Sequence, residues 1–260
     1  MSEKNERLLK SENDFKPKKI VEIRNLVKDY GVKGFQSRVL KGIDLTVFSD
    51  DFIAIMGPSG SGKTTLLNIL SSVDKPTLGD VLLDGKDITR LSNKELSKLR
   101  RDKIGFIFQD YNLLDTMSLK DNIALPLTLN GVSGKECSRK VEELAEMFGL
   151  KDHLAKYPYQ LSGGQKQRGA ACRALITGPE IIFADEPTGN LDSNTSVEVM
   201  NLMKRVVREK NQTLVMVTHD NYLAGFADIV IRIRDGKILE IDERSGEDMP
   251  EEIMVKESVT

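Results

Sequence analysis

The sequence predicts an α/β fold whose core is a mostly parallel sheet. Two observations carry this prediction: short, continuously apolar runs recur along the chain, and segments with helical periodicity separate them. Strands that a parallel sheet buries on both faces show such runs, and their alternation with helices is typical of α/β folds. The runs are Phe52–Met56, 104–108, 181–184 and 214–217.

Periodicity and turn residues predict the other elements. Apolar residues that recur at i, i+3, i+4 and i+7 indicate one face of an amphipathic helix. An Asp-Gly pair between two apolar segments is typical of a β-hairpin turn. The elements expected on these grounds are strands at 20–23 and 39–48 around a glycine-containing loop at 31–37, helices at 141–148 and 200–207, and a hairpin of 229–233 with 237–241.

Composition excludes several classes of function. The 260 residues include 38 Lys plus Arg and 40 Asp plus Glu, which gives a net charge of −2, whereas general nucleic-acid binders carry a basic excess. No apolar run approaches the roughly 20 residues of a membrane-spanning helix, and the charged N-terminus has no signal-peptide core. Cys137 and Cys172 are too few for a disulfide framework, which predicts reduced thiols. We therefore expect a soluble cytoplasmic protein that neither binds nucleic acid nor inserts directly into the membrane.

A glycine-rich loop directly follows the apolar run that ends at Met56. Its sequence matches the pattern G-x-x-x-x-G-K-[ST] and leads into an apolar helix face. Glycines let backbone N–H groups surround phosphate oxygens, and the helix N-terminus adds partial positive charge. Lys63 would supply a charge to the β- and γ-phosphates, and the Thr64 hydroxyl would ligate Mg²⁺. This predicted nucleotide-binding loop, called the phosphate loop below, comprises Gly57, Pro58, Ser59, Gly60, Ser61, Gly62, Lys63, Thr64 and Thr65.

Two adjacent carboxylates follow the apolar run at 181–184. Asp185 would lie at the carboxyl end of a parallel strand, where α/β sheets bind ligands, and would hold Mg²⁺ directly or through water. Glu186 would polarise an attacking water as a general base. Together with the phosphate loop, this pair predicts hydrolysis of a nucleoside triphosphate.

The residues at 161–165 read Leu-Ser-Gly-Gly-Gln and stand between the phosphate loop and the Asp-Glu pair. Three further segments keep a fixed order around them: Gln109 after the second apolar run, Asn-Leu-Asp at 190–192, and His219 after the last run. This ordered set resembles the ATP-binding-cassette (ABC) ATPases over roughly 20–240. The resemblance implies a P-loop NTPase fold of the ABC-ATPase type, with a mostly parallel core sheet, an antiparallel β subdomain and a helical signature subdomain.

The resemblance assigns the Leu-Ser-Gly-Gly-Gln segment, called the signature below, to the γ-phosphate. A helix that begins there would direct its N-terminus at the γ-phosphate of an ATP bound by another copy of the chain. The family therefore implies a head-to-tail homodimer with two ATP molecules between its subunits. The signature residues that would contact nucleotide are Ser162, Gly163, Gly164 and Gln165.

Four other positions take roles from the same resemblance. Gln109 would sense Mg²⁺ and the attacking water, and His219 would contact the γ-phosphate and orient that water. Asp192 would contribute to the nucleotide site from the segment at 190–192. Tyr30 falls where the family keeps an aromatic residue that stacks on adenine, although it could equally be a buried aromatic at a strand edge. A lone histidine at a strand end is also more often a surface or packing residue.

A narrower resemblance concerns the use of the ATP. The segment at 184–192 is similar to a branch that includes lipoprotein-release, macrolide-export, cell-division and antimicrobial-peptide-resistance ATPases, and 106–116 is closer to the bacitracin- and lantibiotic-resistance members. This implies a peripheral ATPase at the inner face of the cell membrane. It would power export or removal of an antimicrobial peptide, or a similar amphipathic compound, through a separate FtsX-like permease. That permease would attach along 109–122, where Leu113 and Leu114 are apolar.

An alternative function remains, and the same resemblance divides the chain into segments. A non-transport ABC ATPase, which acts in divisome activation or in signalling through a membrane partner, stays open as the alternative. The predicted divisions are a flexible leader at 1–19, a single ABC ATPase domain at 20–240 with its ATP-binding core at 20–110 and 178–240 and its helical subdomain at about 111–177, and an acidic tail at 241–260.

Overall fold

The computed structural model describes residues 18–32 and 35–243. The strands are β1 (Lys19–Val32), β2 (Phe35–Phe48), β3 (Phe52–Met56), β4 (Leu78–Leu83), β5 (Lys86–Asp87), β6 (Ile104–Ile107), β7 (Ile181–Asp185), β8 (Thr213–Val217), β9 (Ile229–Arg234) and β10 (Lys237–Glu243). The α-helices are α1 (Lys63–Leu70), α2 (Asn93–Lys103), α3 (Leu119–Leu129), α4 (Gly134–Met147), α5 (Gly163–Leu175), α6 (Ser193–Glu209) and α7 (Asn221–Ala224). Short 3₁₀ turns lie at Lys151–His153 and Pro158–Gln160.

Six strands form the core sheet, in the order β10-β9-β3-β8-β7-β6. The strands β9, β3, β8, β7 and β6 run parallel, and β10 pairs antiparallel with β9 as the Asp-Gly turn predicts. Every residue of β3 and β8 is buried, which explains their uninterrupted apolar sequences. The predicted mostly parallel core is confirmed, and the carboxyl ends of its parallel strands open on one edge.

Four strands form a second, antiparallel sheet in the order β2-β1-β4-β5. One apolar cluster joins this sheet to α1 and to the core sheet. The prediction of a loop at 31–37 is wrong. The strand β1 continues to Val32 and β2 begins at Phe35, and these two residues pair with each other in the antiparallel ladder. Gly31 reaches this pairing with a φ of 108°, where an added Cβ would lie 2.2 Å from the Phe35 carbonyl oxygen. The glycine therefore permits close strand approach and does not end the strand.

The helices α3, α4 and α5 pack together beside the core sheet. The predicted apolar face of α4 is confirmed, since Val141, Leu144 and Phe148 are buried in one cluster with residues of α3 and α5. Cys137 and Cys172 are both buried and free. Burial raises the pKa of the Cys172 thiol well above its usual range, so the thiol stays protonated and packs as a small apolar group.

The structure describes only part of the predicted leader at 1–19 and of the predicted tail at 241–260. Of the predicted leader and tail, 1–17 and 244–260 lie outside the described residues. The strand β10 extends through Glu243, so the first residues of the predicted tail belong to a strand. Among the residues that the structure describes, no helix has both the length and the apolar character needed to cross a membrane.

Candidate nucleotide-binding and hydrolysis site

The phosphate loop connects β3 to α1 at the carboxyl edge of the core sheet. Lys63 begins α1, and its Nζ donates hydrogen bonds to the carbonyl oxygens of Gly57 at 2.9 Å and Pro58 at 3.1 Å. At Gly62 the φ is 101°, and a Cβ would lie 2.8 Å from Leu40 Cδ2, so the position requires glycine. Because glycine has no capping side chain, the first N–H groups of α1 stay open to an anion.

One polar atom inside the loop points to the same ligand. The buried Ser61 hydroxyl has no hydrogen-bond partner within residues 18–32 and 35–243. Buried hydroxyls in folded proteins are nearly always hydrogen-bonded, so an exception calls for a ligand or water. The loop therefore combines a buried ammonium, open N–H groups and an unsatisfied hydroxyl, all of which suit a chain of phosphates.

Asp185 ends β7 beside the start of α1. The Thr64 hydroxyl donates a hydrogen bond to Asp185 Oδ1 at 3.3 Å. Burial raises the pKa of Asp185 above its usual value; the Thr64 hydrogen bond and the Lys63 charge lower that pKa, while the Glu186 charge adds to the rise. Burial thus disfavours the ionised carboxylate, which would gain free energy from a nearby cation.

Glu186 and His219 meet at the ends of β7 and β8. Glu186 Oε1 lies 3.0 Å from His219 Nδ1, and their side chains are 23% and 68% exposed respectively. The Glu186 backbone has a φ of 43°, and its N–H donates to the carbonyl oxygen of Val217 at 2.9 Å. A non-glycine residue in the left-handed region is uncommon, and such strain clusters at functional sites. The predicted base and histidine are therefore brought together, with the base fixed by the neighbouring strand.

The signature begins α5 on the helical side of the molecule. Ser162 Oγ accepts the Gln165 N–H at 3.3 Å, and Gln165 Oε1 accepts the Ser162 N–H at 3.0 Å, which is a reciprocal capping box. Gln165 Nε2 in turn lies 2.9 Å from His153 Nε2. Ser162 is exposed, so this helix N-terminus faces outward and is accessible to a ligand.

Gln109 and the segment at 190–192 lie side by side. Asn190 Nδ2 donates to the Gln109 carbonyl oxygen at 3.1 Å, and the Gln109 side-chain amide lies against Gly189. Asp192 caps α6 by accepting the Thr195 N–H at 3.0 Å, and this hydrogen bond holds the pKa of Asp192 below its usual value. The geometry thus gives Asp192 a local capping role in addition to any contact with nucleotide.

Tyr30 lies near the end of β1 and is 42% exposed, so it is not the buried edge aromatic of the alternative interpretation. Its hydroxyl donates to Asp74 Oδ2 at 2.7 Å, and Lys28 Nζ lies 4.7 Å from the centre of its ring. Sequence reasoning missed Asp74 and Lys28, because their pairing joins positions 46 residues apart and belongs to no local motif.

Arg173 is a further residue that sequence reasoning missed. From α5, its guanidinium donates to the carbonyl oxygens of Asn112 at 2.5 Å and Tyr111 at 2.9 Å. Tyr111 and Asn112 both have positive φ, so the chain just after Gln109 turns sharply where Arg173 holds it. Positive φ at two consecutive non-glycine residues is not visible in the sequence.

Two open clefts flank the site. One, of about 860 Å³, is lined by Glu186, His219 and residues at the start of α6. The other, of about 560 Å³, lies among α2, α3 and α5. Its floor includes Phe106 and Phe108, whose rings stack with their centres 4.2 Å apart, and Arg100, Arg101 and Arg173 line it as well.

Comparison with known proteins identifies the family. A family model described as "ABC transporter" matches residues 40–189, more than half of the chain. The chain belongs to the ABC transporter family. It is 48% identical to the bacitracin export ATP-binding protein BceA of Halalkalibacterium halodurans over 219 residues, which cover 84% of this chain and 87% of BceA.

Two further likenesses extend this result. The macrolide export ATP-binding/permease protein MacB of Syntrophobacter fumaroxidans is 45% identical over 234 residues, which cover 89% of this chain and 33% of MacB. A dimeric post-hydrolysis structure of the ATP-binding cassette MJ0796, bound to ADP and Pi, superimposes with a TM-score of 0.80 at 40% identity, covering 87% of this chain and 99% of that one. The predicted ABC ATPase fold, the ATPase activity and the relation to the bacitracin and macrolide branch are therefore confirmed.

Proposed function

We propose that this ABC ATPase powers a membrane transporter that exports or removes antimicrobial peptides or similar amphipathic compounds. The observation that carries the proposal is that the phosphate loop, Asp185, Glu186 and His219 converge at one edge of the core sheet. The compound class rests on the names of BceA and MacB, which refer to bacitracin and macrolide export. The chain would act at the cytoplasmic face of the membrane, held there by a separate permease.

ATP would bind along the line from Tyr30 to the phosphate loop. Adenine stacks on the exposed Tyr30 ring, and the phosphates lie against the N–H groups that begin α1. The Lys63 ammonium then exchanges the carbonyl oxygens of Gly57 and Pro58 for β- and γ-phosphate oxygens. Ser61 gains the partner that its buried hydroxyl lacks among the described residues.

The oxygen atoms beside the phosphates suit Mg²⁺. This ion prefers hard oxygen ligands, and the Thr64 hydroxyl lies 3.3 Å from the Asp185 carboxylate. We propose that Thr64, Asp185 and Gln109 would hold it. Bound there, Mg²⁺ would neutralise charge on the β- and γ-phosphates.

Glu186 would accept a proton from the attacking water. Its backbone is fixed beside Asp185 by the hydrogen bond to Val217, and its carboxylate contacts His219 at the sheet edge where the γ-phosphate would end. His219 Nδ1, 3.0 Å from Glu186 Oε1, would donate a hydrogen bond to the Glu186 carboxylate, and the ring would turn toward the γ-phosphate when ATP is bound. The positions of these side chains and membership of the family support these proposed roles.

A second copy of the chain would complete each site. The N-terminus of α5 is exposed at Ser162 and lies on the helical side of the molecule, so it can meet the γ-phosphate of a nucleotide held by the other copy. The dimeric MJ0796 cassette supports this arrangement. We propose a head-to-tail dimer with two ATP molecules at its interface.

The permease would dock in the 560 Å³ groove among α2, α3 and α5. The stacked rings of Phe106 and Phe108 provide an apolar floor, and the three arginines provide positive charge. An amphipathic helix with an apolar face and acidic residues along its side would complement both. Leu113 and Leu114, expected at the contact from the sequence, are not among the residues that line this groove.

Purification in detergent from native membranes tests the proposal. We expect two copies of the chain to elute with one permease assembly, and an amphipathic peptide such as bacitracin to stimulate ATP hydrolysis of that complex. The double variant Arg100→Glu, Arg101→Glu should release the permease, while ATP hydrolysis by the isolated chain stays at the wild-type rate. Recovery of the wild-type chain alone from the same membranes would contradict the transporter proposal.

A further inference from the structure

A partly buried ion pair lies beneath Tyr30, next to the proposed adenine site. Lys28 in β1 is 9% exposed, and its Nζ donates to Asp74 Oδ1 at 2.8 Å and to the Lys75 carbonyl oxygen at 2.7 Å. The other carboxylate oxygen of Asp74 accepts the Tyr30 hydroxyl at 2.7 Å. One carboxylate therefore binds two side chains of β1 at once. It lies just after the end of α1, the helix that begins in the phosphate loop.

The Tyr30 ring is held at two points. Its hydroxyl donates a hydrogen bond to Asp74 Oδ2, which lies beyond the end of α1. Lys28 Nζ lies 4.7 Å from the ring centre, within the range of a cation–π contact. Burial, together with the Asp74 carboxylate, raises the pKa of the Tyr30 hydroxyl, so the hydroxyl stays protonated and can donate at neutral pH.

We propose that Asp74 and Lys28 are positioning residues that fix the Tyr30 ring relative to the phosphate loop before ATP arrives. The proposal rests on the proposed stacking of adenine on Tyr30. Because base and phosphates belong to one molecule, the ring and the loop must stand at a set separation for both to be contacted. The helix α1 connects the two, since it begins in the phosphate loop and is followed by Asp74, which accepts the Tyr30 hydroxyl.

A general physical argument and the contacts of Asp74 favour positioning over a purely structural role. A side chain that is already immobilised loses no further conformational freedom when the ligand binds, so the affinity for ATP rises. The geometry adds that Asp74 uses one carboxylate oxygen for Lys28 and the other for the Tyr30 hydroxyl, so the pair holds the ring as well as itself.

The variant Tyr30→Phe tests the proposal most directly, because it keeps the ring and the Lys28–Asp74 pair and removes only the hydroxyl. We expect ATP to bind about three- to tenfold more weakly by calorimetry, as for one side chain that must be immobilised on binding. The KM for ATP should rise by a similar factor with kcat unchanged. Tripolyphosphate, which has no base, should bind as it does to the wild type. The control Tyr159→Phe removes a hydroxyl from another exposed tyrosine and should leave all these values unchanged.

Two further variants, Asp74→Asn and Tyr30→Leu, distinguish positioning of the ring from stacking of adenine on it. Asp74→Asn should weaken ATP binding like Tyr30→Phe, and if that variant does not fold, Tyr30→Phe alone decides. Tyr30→Leu removes the ring itself and should weaken ATP binding further. If Tyr30→Leu weakens binding but Tyr30→Phe does not, stacking stands and positioning is overturned. If neither changes the affinity for ATP, the proposed adenine site fails as well. Equal weakening of ATP and tripolyphosphate by Tyr30→Phe would also overturn positioning.

Discussion

Replacing Glu186 with glutamine removes a carboxylate from the hydrolysis site and preserves the shape of the side chain. Glu186 Oε1 lies 3.0 Å from His219 Nδ1, and a glutamine oxygen can keep that contact. The amide cannot take a proton from water, so the variant separates the chemical role of the group from its structural role. We therefore expect ATP to bind normally and hydrolysis to fail.

The size of the effect follows from the fixed position of the base. A positioned general base contributes roughly 10²- to 10⁴-fold, which is about 2.7–5.5 kcal/mol of activation free energy. Glu186 has a left-handed backbone and an N–H bound to Val217, so another carboxylate cannot take its place without rebuilding the strand end. Asp185, its neighbour, is already bound to Thr64. The loss should therefore lie in the upper part of this range.

Three measurements check the prediction. Single-turnover hydrolysis with Mg²⁺ and ATP should be slowed by about 10³- to 10⁴-fold, the Kd for ATP by calorimetry should change less than about twofold, and size-exclusion chromatography with ATP should show an accumulated dimer. The control Glu209→Gln changes an exposed glutamate at the end of α6 and should retain wild-type turnover. Wild-type turnover in Glu186→Gln would refute the general-base role.

Three other changes have defined outcomes. Lys63→Ala should weaken ATP binding by roughly 10- to 150-fold, as for loss of a charged hydrogen bond; an unchanged Kd by calorimetry would contradict the phosphate-loop assignment. Burial raises the pKa of Asp185, so its ionisation in the fold costs stability as pH rises through that pKa. Asp185→Asn should therefore raise the melting temperature of the nucleotide-free protein at pH 7, by roughly 2–4 °C for each kcal/mol of stability gained, and should raise it less at pH 4. Mg²⁺-dependent hydrolysis should be lost in the same variant. A lower melting temperature at pH 7 would contradict the prediction. Phe148→Ala should destabilise the protein by roughly 3–5 kcal/mol in urea unfolding, because the fully buried ring leaves a cavity between helices.

The sequence predicts the parts of the fold that depend on continuous burial or on a local motif. The β3 run is apolar because both faces are covered, and the phosphate loop follows it because glycines are needed where the backbone turns into α1. The Asp185–Glu186 pair is recognisable because it stands at a strand end. Each of these signals lies within a few consecutive residues.

Features that depend on how strands pair and helices pack escaped prediction. The strand pairing of Val32 with Phe35 overrides the glycine that indicates a loop, since the ladder between β1 and β2 continues through it. Asp74 is one acidic residue among many in the sequence, and only the fold brings Lys28 and Tyr30 to its two oxygens. Arg173 likewise looks like an ordinary helix residue until α5 packs against the chain that follows Gln109.

The position of Arg173 connects nucleotide binding to the proposed permease groove. It belongs to α5, whose N-terminus carries the signature, and it holds the carbonyl oxygens of Tyr111 and Asn112 just after Gln109. Arg173 and Asn112 also line the groove. We expect a displacement of the signature by a bound γ-phosphate to move Arg173 as well, because α5 carries both. Under the proposed function, dimer closure and permease docking would then share this helix, and a partner that fills the groove would in turn bias the position of the signature.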